Sequence, residues 1–215
     1  MSPNGTSIVT TTWNERANVE KLFPTIRNAL QQVPHEIIVV DDNSQDGTIH
    51  IAKRLADVAV TKTREGQTKG LLYGMKLAKY PVIITIDTDL ENDPAHIPSL
   101  LQQTAKYDVV VASRTKLPRI SEIITSKTLG KLLGVTDTIS NFRAFRKETV
   151  SNFNLRGGET FGAEFLVIAK KRGLTIGEIK YDPSPRRKRP RIGGTVKANL
   201  RILWALLKSL TLYLI

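Results

Sequence analysis

The chain has no cysteine among its 215 residues, few aromatics (6%), and nowhere a run of about 18 uncharged apolar residues. Without thiols there is no disulfide framework, no thiolate nucleophile, and no Cys-ligated zinc or iron–sulfur centre, and a cytosolic setting is expected. Without a long apolar run no spanning helix is expected. The opening MSPNGTSIVT has neither the basic nor the apolar stretch of a secretory leader. Acidic residues are missing after Asp182, while eight basic ones follow it: Arg186, Arg187, Lys188, Arg189, Arg191, Lys197, Arg201 and Lys208. Most of the net charge of +12 therefore sits in a short tail on a nearly balanced body. That asymmetry points to an anionic partner at one end: nucleic acid, lipid head groups or a phosphorylated substrate.

What is present is a 40% hydrophobic composition with alternating patterns. Thr6 to Thr12 and Glu36 to Val40 are short β-branched runs, and Val19, Leu22, Phe23, Ile26 and Leu30 between them recur at helical spacing. The alternation continues through Thr48 to Ala56 (helix), Val58 to Thr61 (strand), Thr68 to Lys79 (helix) and Val82 to Ile86 (strand). Strands too apolar to have a wet face predict an α/β fold, a mostly parallel sheet with helices on both faces. A helix near Ile97 to Ala105 and a strand at Asp108 to Ala112 follow, with less regular elements out to Tyr181. The reading divides the chain into a domain over 1–182 and a basic loop with an amphipathic helix over 183–215.

Open α/β sheets bind ligands beyond the carboxyl ends of their strands, so the polar residues there matter most. Asp87, Asp89 and Glu91 alternate, and in an extended stretch all three face one side. Carboxylates so placed repel one another unless a cation joins them, and hard oxygen ligands suit Mg2+ or Mn2+. A solvated acidic turn that caps the next helix is the alternative. Asp41 and Asp42 end the second strand, where Ser44 or Asp46 can cap the following helix. Asp42 is the candidate for a nucleobase edge or ribose hydroxyl. The GQTKGLLYG run from Gly66 lacks the order of a phosphate loop and reads as a helix start with small residues for packing, from which Lys69 could reach a donor. The three scattered histidines are given no role.

These residues resemble a known family. Thr11-Thr12-Trp13-Asn14-Glu15 looks like the P-T-Y-N-E loop of family 2 glycosyltransferases. Val39-Val40-Asp41-Asp42-Asn43-Ser44 with Asp46, Gly47 and Thr48 looks like their V-V-D-D-x-S-x-D-G-T. Asp87-Thr88-Asp89-Leu90 resembles their D-A-D-L, and Ser140 to Arg146 resembles the S-G-F-R-x-F-R of the dolichyl-phosphate mannose synthase branch. The resemblance implies a GT-A fold and a nucleoside-diphosphate sugar donor (GDP-mannose or a UDP-sugar). It also implies a divalent metal and inversion at the anomeric carbon. The chain departs from the pattern at Thr11 (usually Pro), Glu91 (often Gln) and Asn141 (usually Gly).

On this reading Thr11, Trp13, Glu15, Val40, Asp42, Lys69, Asp87 and Thr88 bind the nucleotide, and Asp87, Asp89 and Glu91 hold the metal. Arg114 contacts the diphosphate, while Arg143, Arg187, Arg189 and Arg191 meet an acceptor phosphate. A polyprenyl phosphate is already anionic at neutral pH and needs no general base. A hydroxyl acceptor would need one, for which Glu164 is the candidate. From Val196 onward Lys197, Arg201 and Lys208 form a narrow basic stripe on a mostly apolar helix. Peripheral binding at an anionic membrane surface is the preferred expectation, and packing on the domain or on a second copy of the chain is the alternative. Two other classes share some of these features. A receiver-like domain does not account for Asp89 and Glu91. A nucleic-acid binder, suggested by Arg186 to Arg191, does not account for acidic strand ends, so no nucleic acid is expected.

Overall fold

The computed structural model describes residues 5–155, 161–183 and 195–214. Among these, seven strands form one sheet: β1 (Thr6–Thr12), β2 (His35–Asp41), β3 (Val58–Thr61), β4 (Val82–Thr85), β5 (Val109–Arg114), β6 (Arg143–Arg146) and β7 (Ile176–Tyr181). Their order is β3-β2-β1-β4-β6-β5-β7. The intervening helices are α1 (Arg16–Ala29), α2 (Thr48–Leu55), α3 (Gln67–Leu77), α4 (Ile97–Gln103), α5 (Ile120–Thr125), α6 (Lys131–Leu133), α7 (Lys147–Val150), α8 (Phe161–Lys171) and α9 (Thr195–Leu214). A π turn, Ser126–Gly130, joins α5 to α6.

The period of two along β1 decides which core each side chain enters. Ile8 points into a cluster with Val19, Leu22 and Phe23 of α1, whereas its neighbour Val9 joins Leu71 and Met75 of α3 and Phe165 of α8 on the other face. Both are fully buried, and each such side chain contributes roughly 1.5–3 kcal/mol relative to exposure. Gly70 and Gly74 let α3 lie against β1. A Cβ at Gly74 would come 2.5 Å from Val9 Cγ1, and one at Gly70 would come 2.6 Å from Thr11 Cγ2.

β6 is the exception to the parallel order, pairing antiparallel with both β4 and β5. Its amino end therefore lies beside the carboxyl ends of its neighbours. The preceding loop, 137–142, is delivered to the side of the sheet where the acidic strand ends lie.

α9 lies on the domain along one face and leaves the other open. One face packs against α5 and α8, with Ala198, Leu206 and Ser209 buried, and Lys171 Nζ donates to the Leu212 carbonyl near its end. The opposite row, Val196, Leu200, Trp204, Leu207 and Leu214, is exposed. No helix among the described residues is long and apolar enough to cross a membrane.

Candidate active site

β1 is hydrogen-bonded to β2 on one side and β4 on the other, and the chain leaves these two neighbours in different directions. Such a switch point opens a crevice beyond the strand ends. A cleft of about 460 Å³ lies there. Its lining includes Thr11, Trp13, Glu15, Asp42, Asp87, Thr88, Asp89, Glu91 and Arg114, all of which the sequence reading had singled out.

Backbone conformation helps bring these ends together. Asn14, Asn43 and Leu90 follow β1, β2 and β4, and each has a positive φ (54°, 60° and 65°). Asn tolerates this region through local hydrogen bonds, whereas Leu is an outlier there. Asn14 joins two of the loops, its N–H donating to Ser44 Oγ and its Oδ1 accepting from the Gln45 N–H, each at 2.8 Å. Thr88 Oγ1 donates to the Thr11 carbonyl, tying the end of β4 to that of β1.

Asp87, Asp89 and Glu91 do not lie along one extended face as expected. Thr88 and Asp89 form a turn, and Leu90 reverses the chain. Asp87 Oδ1 accepts from Gln67 Nε2 at 2.6 Å and from Asn141 Nδ2 at 3.3 Å. Asp89 Oδ1 accepts the Glu91 N–H, and Glu91 Oε2 lies 3.8 Å from Arg114 Nη1. Among the described residues no three such side chains gather into a protein-only metal cage. The donor set fits a hard cation that takes one or two carboxylates and completes its shell with substrate phosphate and water.

The paired Asp41 and Asp42 have separate jobs. Asp41 folds its own loop by accepting the Ser44 N–H and hydroxyl at 2.8 and 2.5 Å. Asp42 faces the cleft and is ion-paired with Lys62 Nζ, with both side chains nearly buried. Asp46 accepts from the Thr48 hydroxyl and from the Arg16 and Thr48 N–H groups.

Arg114 is the best-anchored cation. Its Nε donates to Asp137 Oδ2 at 2.6 Å, and Glu91 and Glu122 lie within 4 Å. Burial alone would lower its pKa, but the three carboxylates outweigh burial and raise it above the ordinary guanidinium value. Asp137 also accepts the Ile139 and Ser140 N–H groups, so one buried carboxylate both aims Arg114 and folds the loop that presents Asn141.

Four expected site residues do not line this cleft. Val40 is buried in β2, beneath α3. Lys69 is exposed and pairs with Glu65 at 2.6 Å. Glu164 is buried on α8. Arg143 was expected on a basic strand face, but β6 is covered on both sides. Its guanidinium is fully buried and donates to the Gly162 and Thr138 carbonyls at 2.7 and 3.0 Å. Burial pushes its pKa down to about 9, against the fields of Asp137 and Asp87. Arg187, Arg189 and Arg191 lie outside the described residues.

The sequence reading did not place Arg64, Gln67, Asn92, Arg119, Glu122, Asn141 or Arg201 in the cleft. Gln67 lies inside the Gly66 run that its small residues mark only for packing, Arg64 lies two residues before that run, and Asn141 stands out in the sequence only as a departure from the family pattern. Arg64 rests on Trp13, its guanidinium carbon 3.4 Å from the ring centroid. Such an exposed contact is worth about 0.5–1 kcal/mol.

A pH dependence follows from three carboxylates. Burial works to raise the pKa of Asp46 and Asp57, but hydrogen bonds from Thr48 and Arg16, and from Ile37 and Arg27, lower it below 3.8. Hydrogen bonds from Thr175 lower Asp108 likewise. Depressed folded-state values give stability that is present above about pH 4 and lost as pH falls through the folded pKa values. The urea midpoint should therefore hold from pH 7 to 5 and drop by pH 3. An equal midpoint at pH 3 would contradict these assignments.

The topology and the cleft together define a GT-A fold. Solved structures of glucosyl-3-phosphoglycerate synthase from Mycobacterium tuberculosis share it. Its complex with phosphoglyceric acid superposes with a TM-score of 0.81, at 20% identity, over 96% of this chain and 80% of that one. Its complex with Mn2+, UDP and glucosyl-3-phosphoglycerate gives 0.80 at the same identity and coverage. The glycosyl transferase family 2 model matches residues 7–158, and the chain belongs to that family. A dolichol-phosphate mannosyltransferase from Pyrococcus furiosus is 30% identical over 94% of this chain and 63% of its own length. An undecaprenyl-phosphate 4-deoxy-4-formamido-L-arabinose transferase from Aeromonas hydrophila is 29% identical over 67% of this chain and 49% of its own. The chain thus spans between about half and just under two thirds of these relatives.

Proposed function

We propose that the chain transfers a sugar from a nucleoside diphosphate to a polyprenyl phosphate at a membrane surface, with inversion at the anomeric carbon. The observation that carries this reading is the cleft that joins the carboxylates of β1, β2 and β4 to Arg114. The names of the two relatives share a polyprenyl-type phosphate acceptor and differ in the sugar, so the acceptor class is the firmer inference. The GT-A neighbours bind UDP with Mn2+ or Mg2+.

Trp13, Glu15 and Asp42 hold the nucleoside over β1 and β2. An oxygen of the acceptor phosphate forms the new bond to the anomeric carbon as the bond to the diphosphate oxygen breaks, and that electron pair leaves on the diphosphate. The acceptor is already deprotonated, so buried Glu164 is not needed as a base. Asp89, with Asp87 or Glu91, would hold a divalent cation, which supplies Lewis-acid neutralisation of the departing diphosphate. Arg114, aimed by Asp137, adds fixed positive charge beside that group. Release of nucleoside diphosphate from GDP- and UDP-sugars, with and without polyprenyl phosphate, tests the reading. One donor should respond to the lipid, and equal, negligible release with every donor would contradict it.

The membrane side of the reading rests on α5 and α9, which pack together and border the cleft through Arg119, Glu122 and Arg201. Ile120, Ile123 and Ile124 of α5 are exposed, as is the Val196 to Leu214 row. Apolar helix surface beside clustered basic residues suits an anionic interface, where each basic residue contributes on the order of 1 kcal/mol. The full chain should cosediment with anionic liposomes, and a chain ending at Asp182 should do so much less. Equal, negligible cosedimentation would assign the row to packing or to a homodimer.

A further inference from the structure

We propose that Arg64 changes partners when a nucleoside diphosphate binds. Its guanidinium leaves the face of Trp13 to the nucleobase and moves onto the diphosphate. The proposal rests on the reading of the cleft as a nucleotide-sugar site and adds a residue to it.

Four observations support the exchange. First, the guanidinium carbon is 3.4 Å from the Trp13 ring centroid, which is stacking distance. A base stacking on that face needs the same space, so the two occupancies are mutually exclusive. Every base has a π face, so the platform accepts a purine or a pyrimidine. Second, two other arginines that line the cleft are already engaged, Arg114 by Asp137 and Arg119 by Glu122, and Lys62 is held by the cleft-lining Asp42. Arg64 forms no ion pair among the described residues, and its charge is available to an anion.

Third, the side chain is free to swing. Arg64 is exposed, in the irregular segment between β3 and α3. The segment is pinned at one end by the Lys62 N–H on the Asp41 carbonyl, and at the other by Gly66, whose φ of 90° turns the chain into α3. Arg64 can therefore change rotamer without breaking a buried contact. Fourth, the energies run one way. A charge-assisted hydrogen bond to a phosphate oxygen is stronger than a cation–π contact at an exposed rim, and the base restores a partner to the ring.

The chain has two tryptophans, and Trp204 is exposed on α9. Trp204→Phe therefore leaves Trp13 as the sole indole reporter. In that background, without lipid and with Mn2+, UDP and GDP are titrated beside uridine and guanosine, following fluorescence and calorimetry. Arg64→Ala should weaken the diphosphate that binds by about tenfold. It should leave its nucleoside unchanged or tighter, because the platform is uncovered. The fluorescence of the ligand-free chain should also change on Arg64→Ala, and Arg64→Lys should recover part of the diphosphate affinity. Unchanged diphosphate affinity in Arg64→Ala, or an equal loss for nucleoside and diphosphate, would overturn the exchange. If the Trp204→Phe parent itself binds neither UDP nor GDP, the nucleotide-site reading fails, and this proposal with it.

Discussion

Replacing Asp89 by asparagine should lower sugar transfer by about a thousandfold, equivalent to about 4 kcal/mol of transition-state stabilisation. Asp89 lies on the turn after β4 and lines the cleft, and its Oδ1 accepts the Glu91 N–H at 3.1 Å. Asparagine keeps that acceptor and the shape of the turn, so the fold should survive and thermal unfolding should move little. What it removes is a negative charge where a divalent cation would be held. Addition of Mn2+ should therefore tighten binding of the sugar donor to the wild type and leave the variant unaffected. A variant whose donor affinity still rises with Mn2+ would move the metal role to Asp87 or Glu91.

Asp137→Ala is expected to be the most destabilising single change at the site. The carboxylate is 2% exposed, bonds Arg114 Nε at 2.6 Å, and accepts two backbone N–H groups of the loop before β6. Removing one member of a buried ion pair leaves the other uncompensated, at a cost of about 3–5 kcal/mol. Glu91 and Glu122 remain near Arg114, which places the expected loss at the lower end. For a chain of this size about 3 kcal/mol corresponds to a drop of roughly 6–12 °C in melting temperature. Asp137→Asn retains one acceptor oxygen for the loop N–H groups and should cost less while still misdirecting Arg114. Calorimetry of the two variants checks this, and a shift below about 2 °C in Asp137→Ala would show that the pair contributes little.

The order of strands and helices was legible in the sequence because each buried strand reads as a β-branched run and each helix shows its apolar stripe. The acidic strand ends were legible for the same reason, since a charged residue directly after a buried strand has to reach the sheet edge. Local pattern cannot report partners distant in sequence. The antiparallel insertion of β6 decides that Asn141 and Asp137 meet Asp87 and Arg114, and nothing near residue 140 states it. Arg143 misled because alternation in a strand suggests a wet face, whereas helices cover this sheet on both sides. Asp87, Asp89 and Glu91 were grouped by a period of two that Leu90 breaks with its left-handed backbone. Lys69 points to Glu65 because their i,i+4 spacing on the start of α3 favours a local pair over a distant ligand. Arg201 was read as part of a basic stripe, and only the packing of α9 against α5 brings it to the cleft.

The destination of the sugar is the most direct test. The full chain would be incubated with Mn2+, polyprenyl phosphate in anionic vesicles, and a GDP- or UDP-sugar labelled in the sugar, then extracted into organic solvent. The account predicts label in the organic phase as a polyprenyl phosphosugar of inverted anomeric configuration, formed by the wild type and lost in Asp89→Asn. Label that stays in the aqueous phase with every donor, from a chain that binds the nucleotide, would contradict it.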